Sequence, residues 1–204
     1  TEKNVLIHAK GTTADISVKA DDDYKLIAVY DATNNNALLM TFTWQPESVG
    51  LDVPVSITYD GNTYYYVTDG NKNVTGLLDQ AGNRVAEYVY GPFGQLLGAE
   101  GELAEVNPFR FSSEFHDDET GLVYYNYRYY NAKLGRWIKR DPIEEQGGIN
   151  LYVMLLNNIL GQWDNLGFVV KKICSNGTCD VKERFGFHNP DVFEEAETQA
   201  STRK

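Results

Sequence analysis

The sequence predicts an all-β fold, built as an array of antiparallel hairpins. From Tyr24 onward, short runs rich in Val, Ile, Thr, Tyr and Phe alternate with turn dipeptides. The turns Asp60-Gly61, Asp69-Gly70 and Gly82-Asn83 recur at about ten-residue intervals, a spacing typical of hairpins rather than of βαβ units. Aromatic residues make up 13% of the chain and favour pleated, half-buried surfaces. A sustained apolar face with helical spacing is absent from the sequence, so helices should be few.

The chain divides into four regions. Residues 1–22 are expected to form an N-terminal boundary segment that runs into three consecutive aspartates, and residues 23–106 carry the strand–turn repeat. Residues 107–167 are an aromatic-rich segment, and residues 168–204 form a tail.

Two segments have a less regular pattern. GGINLYVMLLNN, residues 147–158, could form helix or strand, and its β-forming residues favour strand. PDVFEEAETQA, residues 190–200, predicts one short helix near the C-terminus.

The tail begins with a predicted hairpin centred on Asn176-Gly177, a dipeptide that favours a type I′ turn. In that register Cys174 faces Cys179 as a non-hydrogen-bonded pair, close enough for a disulfide under oxidising conditions. Two free thiols on a small hairpin are the alternative. A metal site is not expected, because two cysteines without a nearby histidine rarely suffice.

Charge and composition restrict the partners. The chain carries 18 Lys+Arg against 29 Asp+Glu, a net charge of −11, which argues against a nucleic-acid partner. No apolar run is long enough to cross a bilayer, and the N-terminal TEKNVLIHAK lacks a signal-peptide pattern. The chain begins with Thr rather than Met, so we expect a fragment or a processed product.

Two stretches resemble a known family. YVYGPFGQLL, residues 88–97, resembles the Tyr-x-Tyr-Asp-x-x-Gly core of YD repeats, with Gly91 in place of the aspartate. Residues 107–167 resemble the Rhs repeat-associated core, and residues 24–44 are similar to sequence found ahead of it. Residues 23–106 are therefore interpreted as YD-repeat strands and residues 107–167 as the Rhs-associated core.

The resemblance implies a function. Rhs and Tc-toxin C proteins build a hollow β-shell from YD repeats, and the core closes one end and cuts the chain just beyond itself. The implied partners are an upstream YD-repeat shell and an enclosed C-terminal effector segment. The resemblance also implies secretion or a cell-surface location, and it implies no cofactor.

Carried across by position, the resemblance implies three catalytic residues. Arg128 in YRYYN matches the core arginine, and Asp141 in RDPI matches the first aspartate. Asp164 in QWDNLGF matches the second aspartate, 164 − 141 = 23 residues later. Scission would then follow the residue after the glycine of Asp-x-x-Gly, at the Phe168-Val169 bond.

Such a set is chemically reasonable for peptide hydrolysis. Two carboxylates held together share a proton, so that one can take a proton from water while the other polarises a carbonyl. An adjacent arginine would hold a carboxylate or a developing oxyanion. The alternatives are structural: an arginine among tyrosines often forms a cation–π stack, and Asp-Pro and Asp-Asn are common turn openers.

The sequence departs from the family pattern near both aspartates. Asn165 stands where the family usually has proline, and Glu144 replaces a glycine, with Glu145 adding a further negative charge. His116 could be proposed as a base, but FHDDET is typical of a turn with a solvated or packing histidine.

Two functions follow. The first is a shell-closing module with single-turnover aspartic autoproteolysis. The second is a non-catalytic β-scaffold or surface interaction module that binds a protein or glycan partner. A complete shell needs many more YD repeats than residues 23–106 provide, and 37 tail residues are too few for a separate toxin domain unless it is stapled.

The tail hairpin gives a first testable prediction. Cys174 and Cys179 should resist thiol-alkylating reagents in a preparation kept unreduced, and both should react after reduction. Mass spectrometry of the alkylated chain measures this. Labelling of both cysteines before reduction would exclude the disulfide and leave the free-thiol alternative.

Overall fold

Eight strands follow one another along the chain and pair in the same order into one antiparallel sheet. The computed structural model describes residues 16–20, 25–46, 52–142, 144, 149–159, 162–164, 167 and 170–172. The eight strands are β1 (Ile16–Ala20), β2 (Leu26–Asp31), β3 (Ala37–Trp44), β4 (Pro54–Tyr59), β5 (Asn62–Thr68), β6 (Val74–Leu78), β7 (Arg84–Tyr90) and β8 (Leu96–Glu100). Among the described residues there is no α-helix, and the predicted all-β fold is confirmed. It follows that this part of the chain holds no helix that could cross a membrane.

The predicted turns connect the strands of this sheet. Asp60 and Gly61 have φ values of +48° and +73°, as a two-residue type I′ turn requires, and they join β4 to β5. The next two loops repeat one design, in which an aspartate accepts a hydrogen bond from an amide four residues later. Asp69 accepts from the Asn73 amide at 2.9 Å, and Asp79 accepts from the Asn83 amide at 2.8 Å.

A second, smaller sheet follows, with spatial order β12-β11-β10-β9. Its strands are β9 (Phe115–Asp117), β10 (Leu122–Tyr125), β11 (Arg128–Asn131) and β12 (Arg136–Trp137). A separate antiparallel pair is formed by β13 (Gln162–Asp164) and β14 (Val170–Lys172). Short 3₁₀ turns lie at Phe111–Ser113 and Leu155–Asn157.

The strand predicted over residues 147–158 is wrong for the part of it that the structure describes. Val153 forms only an isolated bridge with Arg136, and the following residues form a 3₁₀ turn. Leu155 and Asn157 have positive φ values, which a strand does not allow. Met154 and Leu155 are buried in the core next to the small sheet, so tertiary packing overrides the β propensity of the segment.

Other predictions concern residues that the structure does not describe, or region boundaries that it does not test. The cysteine hairpin around Asn176-Gly177 and the helix predicted over residues 190–200 fall outside the described residues. The four region boundaries stay predictions. The large sheet nevertheless begins before residue 22, because β1 lies within the predicted boundary segment and pairs with β2.

The core consists of two adjoining clusters. The first lies against one face of the large sheet and is covered by residues that follow β8, including Leu103, Ala104 and Phe109. The second surrounds the small sheet and contains Phe111, Val123, Tyr125, Tyr130, Ala132, Trp137, Met154, Leu155 and Ile159. Tyr90 packs against both clusters, so the two sheets are joined by continuous apolar contact.

A buried asparagine joins the large sheet to the segment that leads into the small one. The fully buried Asn107 amide accepts from the Tyr66 hydroxyl at 2.7 Å and from the Phe109 amide at 3.2 Å. It donates to the Phe109 carbonyl at 2.7 Å and to the Tyr88 hydroxyl at 3.2 Å. All four hydrogen-bonding positions of this side chain are therefore satisfied.

Asn107→Ala should lower the free energy of unfolding by about 3 kcal/mol, because it leaves several buried polar groups unpaired. Denaturant unfolding followed by tryptophan fluorescence measures the loss. Asn62→Ala is the matched control: its exposed amide makes one hydrogen bond to the Asp60 carbonyl, so its loss should cost below about 1 kcal/mol. Equal losses in the two variants would contradict the assignment of Asn107 as the junction.

Candidate functional site

The site begins at the tight hairpin between β10 and β11. Tyr125 and Arg128 face each other across this hairpin, and Asn126 adopts a positive φ of +55° to close it. Asparagine tolerates this left-handed conformation, which explains its place in the sequence. The hairpin directs the Arg128 side chain inward, where it is only 3% exposed.

Aromatic rings form the wall around Arg128. Its guanidinium lies over the Trp137 ring, 4.0 Å from the ring centroid, in a cation–π contact. Tyr125 meets the same tryptophan edge-on at 5.0 Å, and Tyr130 meets it at 5.5 Å. The three rings are almost completely buried and exclude water from one side of the cation.

Asp141 supplies the first carboxylate. Its Oδ2 lies 3.0 Å from Arg128 Nη1, and its side chain is 14% exposed. The segment from Trp137 to Asp141 is held by backbone hydrogen bonds, because Trp137 donates to the Tyr152 carbonyl and Asp141 to the Leu151 carbonyl. The chain after β11 thus returns toward Arg128 and places Asp141 beside it.

Asp164 supplies the second carboxylate from β13. Its Oδ2 lies 3.6 Å from Arg128 Nη2, and the side chain is 2% exposed. Its Oδ1 accepts a hydrogen bond from the Gly167 amide at 2.7 Å. The Gly167 carbonyl in turn accepts a hydrogen bond from Arg128 Nε. The peptide on either side of Gly167 is thus bound to both the arginine and the second aspartate.

The structure therefore brings together the three side chains that the sequence singled out. One buried cation lies between two carboxylates that come from sequence-distant segments. Removal from water lowers the pKa of the Arg128 guanidinium, whereas Asp141 and then Asp164 raise it. The guanidinium remains charged, because arginine is not deprotonated in proteins.

His116 belongs to a different network. It lies in β9, and its Nε2 is 3.7 Å from Asp118, which forms a bidentate pair with the buried Arg110 at 2.6 and 3.0 Å. Desolvation, followed by the Arg110 charge, lowers the pKa of His116. The interpretation of His116 as a packing residue outside the site agrees with this position, although FHD is strand and only the following residues form the turn.

Sequence reasoning missed Glu114 and Lys72 beside the site. The loop that carries Lys72 is fixed to the 3₁₀ turn before Glu114, because the Ser113 hydroxyl donates to the Lys72 carbonyl at 2.7 Å. Desolvation raises the pKa of Glu114 well above its usual value, the Lys72 cation opposes this, and Asp52 and Asp164 reinforce it. No sequence spacing pointed to this pair, since Lys72 lies in the loop between β5 and β6 and Glu114 lies between the 3₁₀ turn and β9.

Other predicted positions fall elsewhere. Glu144 is exposed and donates its amide to the Asp141 carbonyl. Phe168, Val169, Asn165 and Glu145 lie outside the described residues. Within the described ranges, no cluster of three or more His, Cys, Asp or Glu side chains is arranged to hold a metal ion.

Comparison with known families decides the membership of the chain. The family model of the Teneurin YD-shell matches residues 50–152, half of the sequence. The chain belongs to the YD-shell family. This YD-shell chain is 40% identical over 65 residues to the toxin protein Tse5 of Pseudomonas aeruginosa, covering 32% of the chain and 5% of Tse5. The predicted YD-repeat resemblance is thereby confirmed.

Further relatives are much longer than the chain. It is 31% identical over 112 residues to the toxin subunit YenC1 of Yersinia entomophaga, covering 53% of the chain and 11% of that protein. Salivary gland surface protein 1 of Aedes aegypti is 35% identical over 88 residues, 43% of this chain and 3% of that protein. The crystal structure of TcdB2-TccC3 matches with a TM-score of 0.56 and 22% identity, over 81% of this chain and 10% of that one. This last likeness shows the shared fold.

Gly167 gives a prediction about how this YD-shell site is packed. Gly167 has φ +87°, and a Cβ at this position would lie 2.9 Å from the Tyr125 carbonyl oxygen. Gly121 has φ +68° and open space around it, so both substitutions by alanine strain the backbone but only one crowds a neighbour. In an Asp141→Asn background, Gly167→Ala should cost about 1–3 kcal/mol more than Gly121→Ala by denaturant unfolding. Equal costs would show that Gly167 does not pack against the hairpin in solution.

Proposed function

We propose that this chain is the core module of a YD-shell, which closes the shell around a C-terminal effector segment and cuts its own chain after Phe168 by aspartic autoproteolysis. One observation carries the proposal: Arg128, Asp141 and Asp164 converge in a buried site that also binds Gly167, the residue before Phe168. Residues 107–167 would act as the core, and the tail would begin at the cut.

The charges at the site support an acid–base pair. Two carboxylates face one guanidinium, so the set carries one excess negative charge when both are ionised. In a site with little water, uptake of one proton removes that excess, and the two carboxyl groups then share it. One ionised and one protonated carboxyl group is the arrangement that general acid–base hydrolysis of a peptide requires.

The proposed reaction is the addition of water to the Phe168 carbonyl. The ionised aspartate takes a proton from water as the water oxygen bonds to the carbonyl carbon, and the protonated aspartate donates its proton to the carbonyl oxygen. The carbon–nitrogen bond then breaks as the hydroxyl formed from the carbonyl oxygen returns its proton to the aspartate that donated it, and the nitrogen of Val169 takes up the proton that the other aspartate took from water. The products are a carboxyl group on Phe168 and an amine on Val169, and both aspartates return to their starting state.

Anchoring of the chain on both sides of the predicted bond supports this reaction. Gly167 is bound to Asp164 and Arg128 through its amide and its carbonyl. Beyond the bond, Val170 pairs with Asp164 in the β13–β14 ladder. Fixing both flanks of a bond next to the reacting groups replaces a bimolecular encounter with a pre-oriented one.

The remaining parts of the proposal rest on the relatives. Tse5 and YenC1 are named as a toxin protein and a toxin subunit, and the chain matches only 5% and 11% of their lengths. We therefore place this chain beside further YD-repeat strands of a larger shell that is secreted or displayed at a cell surface. The net charge of −11 is the ground for assigning it no nucleic-acid partner.

A non-catalytic scaffold is the second candidate, and the contact between Arg128 and Trp137 at 4.0 Å favours it. A buried arginine that is stacked on tryptophan and paired with two carboxylates can serve only to hold three chain segments together. In that case the buried site would only stabilise the fold, and the surface of the module would bind a protein or glycan partner without cutting the chain.

Asp141→Asn and Asp164→Asn should each abolish scission, because an amide cannot exchange the proton that the reaction needs. Arg128→Lys should also fail, because an ammonium group cannot reproduce the planar fork that contacts both carboxylates and Gly167. Intact-mass spectrometry of the full chain after expression should show a wild-type fragment ending at Phe168 and an uncut chain in each variant.

Asp118→Asn is the matched control, because it removes the carboxylate that pairs with the buried Arg110 and leaves the site around Arg128 unchanged. It should lower stability and still be cut. An uncut wild-type chain would overturn the protease and leave the scaffold. A fragment ending at Gly167 would keep the protease and move the cut by one residue.

A further inference from the structure

The Tyr125 hydroxyl is an exception among the buried tyrosines of the described core. Tyr88, Tyr90 and Tyr130 each donate to a backbone carbonyl, at 3.0, 2.7 and 2.8 Å. Tyr125 is 0% exposed, and its hydroxyl lies beside Ser112 but makes no hydrogen bond of standard geometry within the described structure. An unpaired buried hydroxyl lowers stability, so its retention calls for an explanation other than packing.

The surroundings of this hydroxyl point toward the self-cleavage site. Burial, followed by the negative charge of Glu114, raises the pKa of Tyr125 well above its usual value, and Asp164 adds to the shift. The phenol therefore keeps its proton and stands as a neutral donor near two carboxyl groups. The Ser112 side chain opposes this shift in pKa, but it forms no hydrogen bond of standard geometry with Tyr125, so the phenol proton is available to a carboxylate.

Tyr125 also belongs to the same rigid unit as Arg128. The two residues pair across the β10–β11 hairpin, and both contact the Trp137 ring. A Cβ at Gly167 would lie 3.2 Å from Tyr125 Cβ, so the residue before the predicted cut packs directly on this tyrosine. A shift of Tyr125 would displace the site, and the ring is held in place by packing alone.

We propose that the Tyr125 hydroxyl is a positioning group of the self-cleavage site, which donates a hydrogen bond to Asp164 as the reacting state forms. The inference rests on the proposed autoproteolysis. The hydrogen bond holds Asp164 ionised and oriented toward the attacking water. Catalytic hydrogen bonds commonly tighten only in the reacting state, which accounts for an unpaired donor in the resting structure.

The test compares Tyr125→Phe with Tyr88→Phe in the full chain. Both tyrosines are buried, but Tyr88 lies in the core cluster of the large sheet, outside the site, and its hydroxyl donates to the Ala104 carbonyl. Pulse-labelled cell-free synthesis followed over time gives the rate of scission, and thermal unfolding in an Asp141→Asn background gives stability. Tyr125→Phe should slow scission about tenfold or more with the same or a higher Tm. Tyr88→Phe should lower Tm through the lost hydrogen bond and leave the rate within about twofold.

A pH profile separates positioning from a general loss of structure. The groups around Tyr125 are Glu114 ahead of β9, Ser112, Tyr130 on β11 and Asp164 on β13, and Arg128 stacks on the Trp137 ring that Tyr125 also contacts. Without its donor, Asp164 takes up a proton more readily, so the acid limb of the scission rate should move to higher pH in Tyr125→Phe. Tyr88→Phe should leave that limb in place.

The outcomes distinguish this inference from the function on which it rests. If the wild-type chain is cut, the two Asp→Asn variants are not, and Tyr125→Phe is cut at the wild-type rate with an unchanged pH profile, only the role of Tyr125 is overturned. A Tyr125→Phe chain that is slower merely because it is less stable also overturns that role. If the wild type and the Asp→Asn variants are equally uncut, the proposed function itself falls, and the role of Tyr125 falls with it.

Discussion

The burial of one guanidinium constrains the arrangement of the second half of the described chain. Arg128 cannot lie in an aromatic pocket without compensating charge, because an isolated buried cation is strongly unfavourable. Its partners come from three directions: the Trp137 face, Asp141 after β12, and Asp164 on β13. Meeting these requirements brings three separate stretches of sequence together, and the small sheet is the scaffold on which they meet.

The two sheets differ in the regularity of their backbones. The large sheet is a repetitive ladder, in which Asp69 and Asp79 close successive loops by the same amide contacts. The small sheet and the 3₁₀ turn that leads into it interrupt that repetition. Ser112 and Ser113 in the turn and Asn126 in the β10–β11 hairpin have positive φ values. Backbone strain of this kind persists only where surrounding contacts enforce it. Here Asn73 and Lys72 of the large sheet accept hydrogen bonds from Ser112 and Ser113, so the repetitive part supports the irregular part.

The sequence was informative where local rules decide the structure. The Asp60-Gly61 turn and the alternation of β-formers predict the large sheet, because turn chemistry and pairing are local properties. The three site residues came from family resemblance, since nothing local connects Arg128 to Asp164 across 36 residues. Residues 149–158 were misassigned because burial of Met154 and Leu155 outweighs β propensity. Glu114 and Lys72 were missed because their proximity exists only after the two sheets pack.

The assembly of the site from separate segments has a consequence for the timing of the proposed cut. Arg128 is positioned by the β10–β11 hairpin, Asp141 by hydrogen bonding of residues 137–141 to residues 151–152, and Asp164 by β13. None of these segments contains a complete acid–base pair with its arginine. In the proposed function, scission therefore cannot begin until the small sheet is folded and the chain beyond it has returned to pair as β14. A self-protease built this way cuts only a chain that is already folded around its own cleavage point.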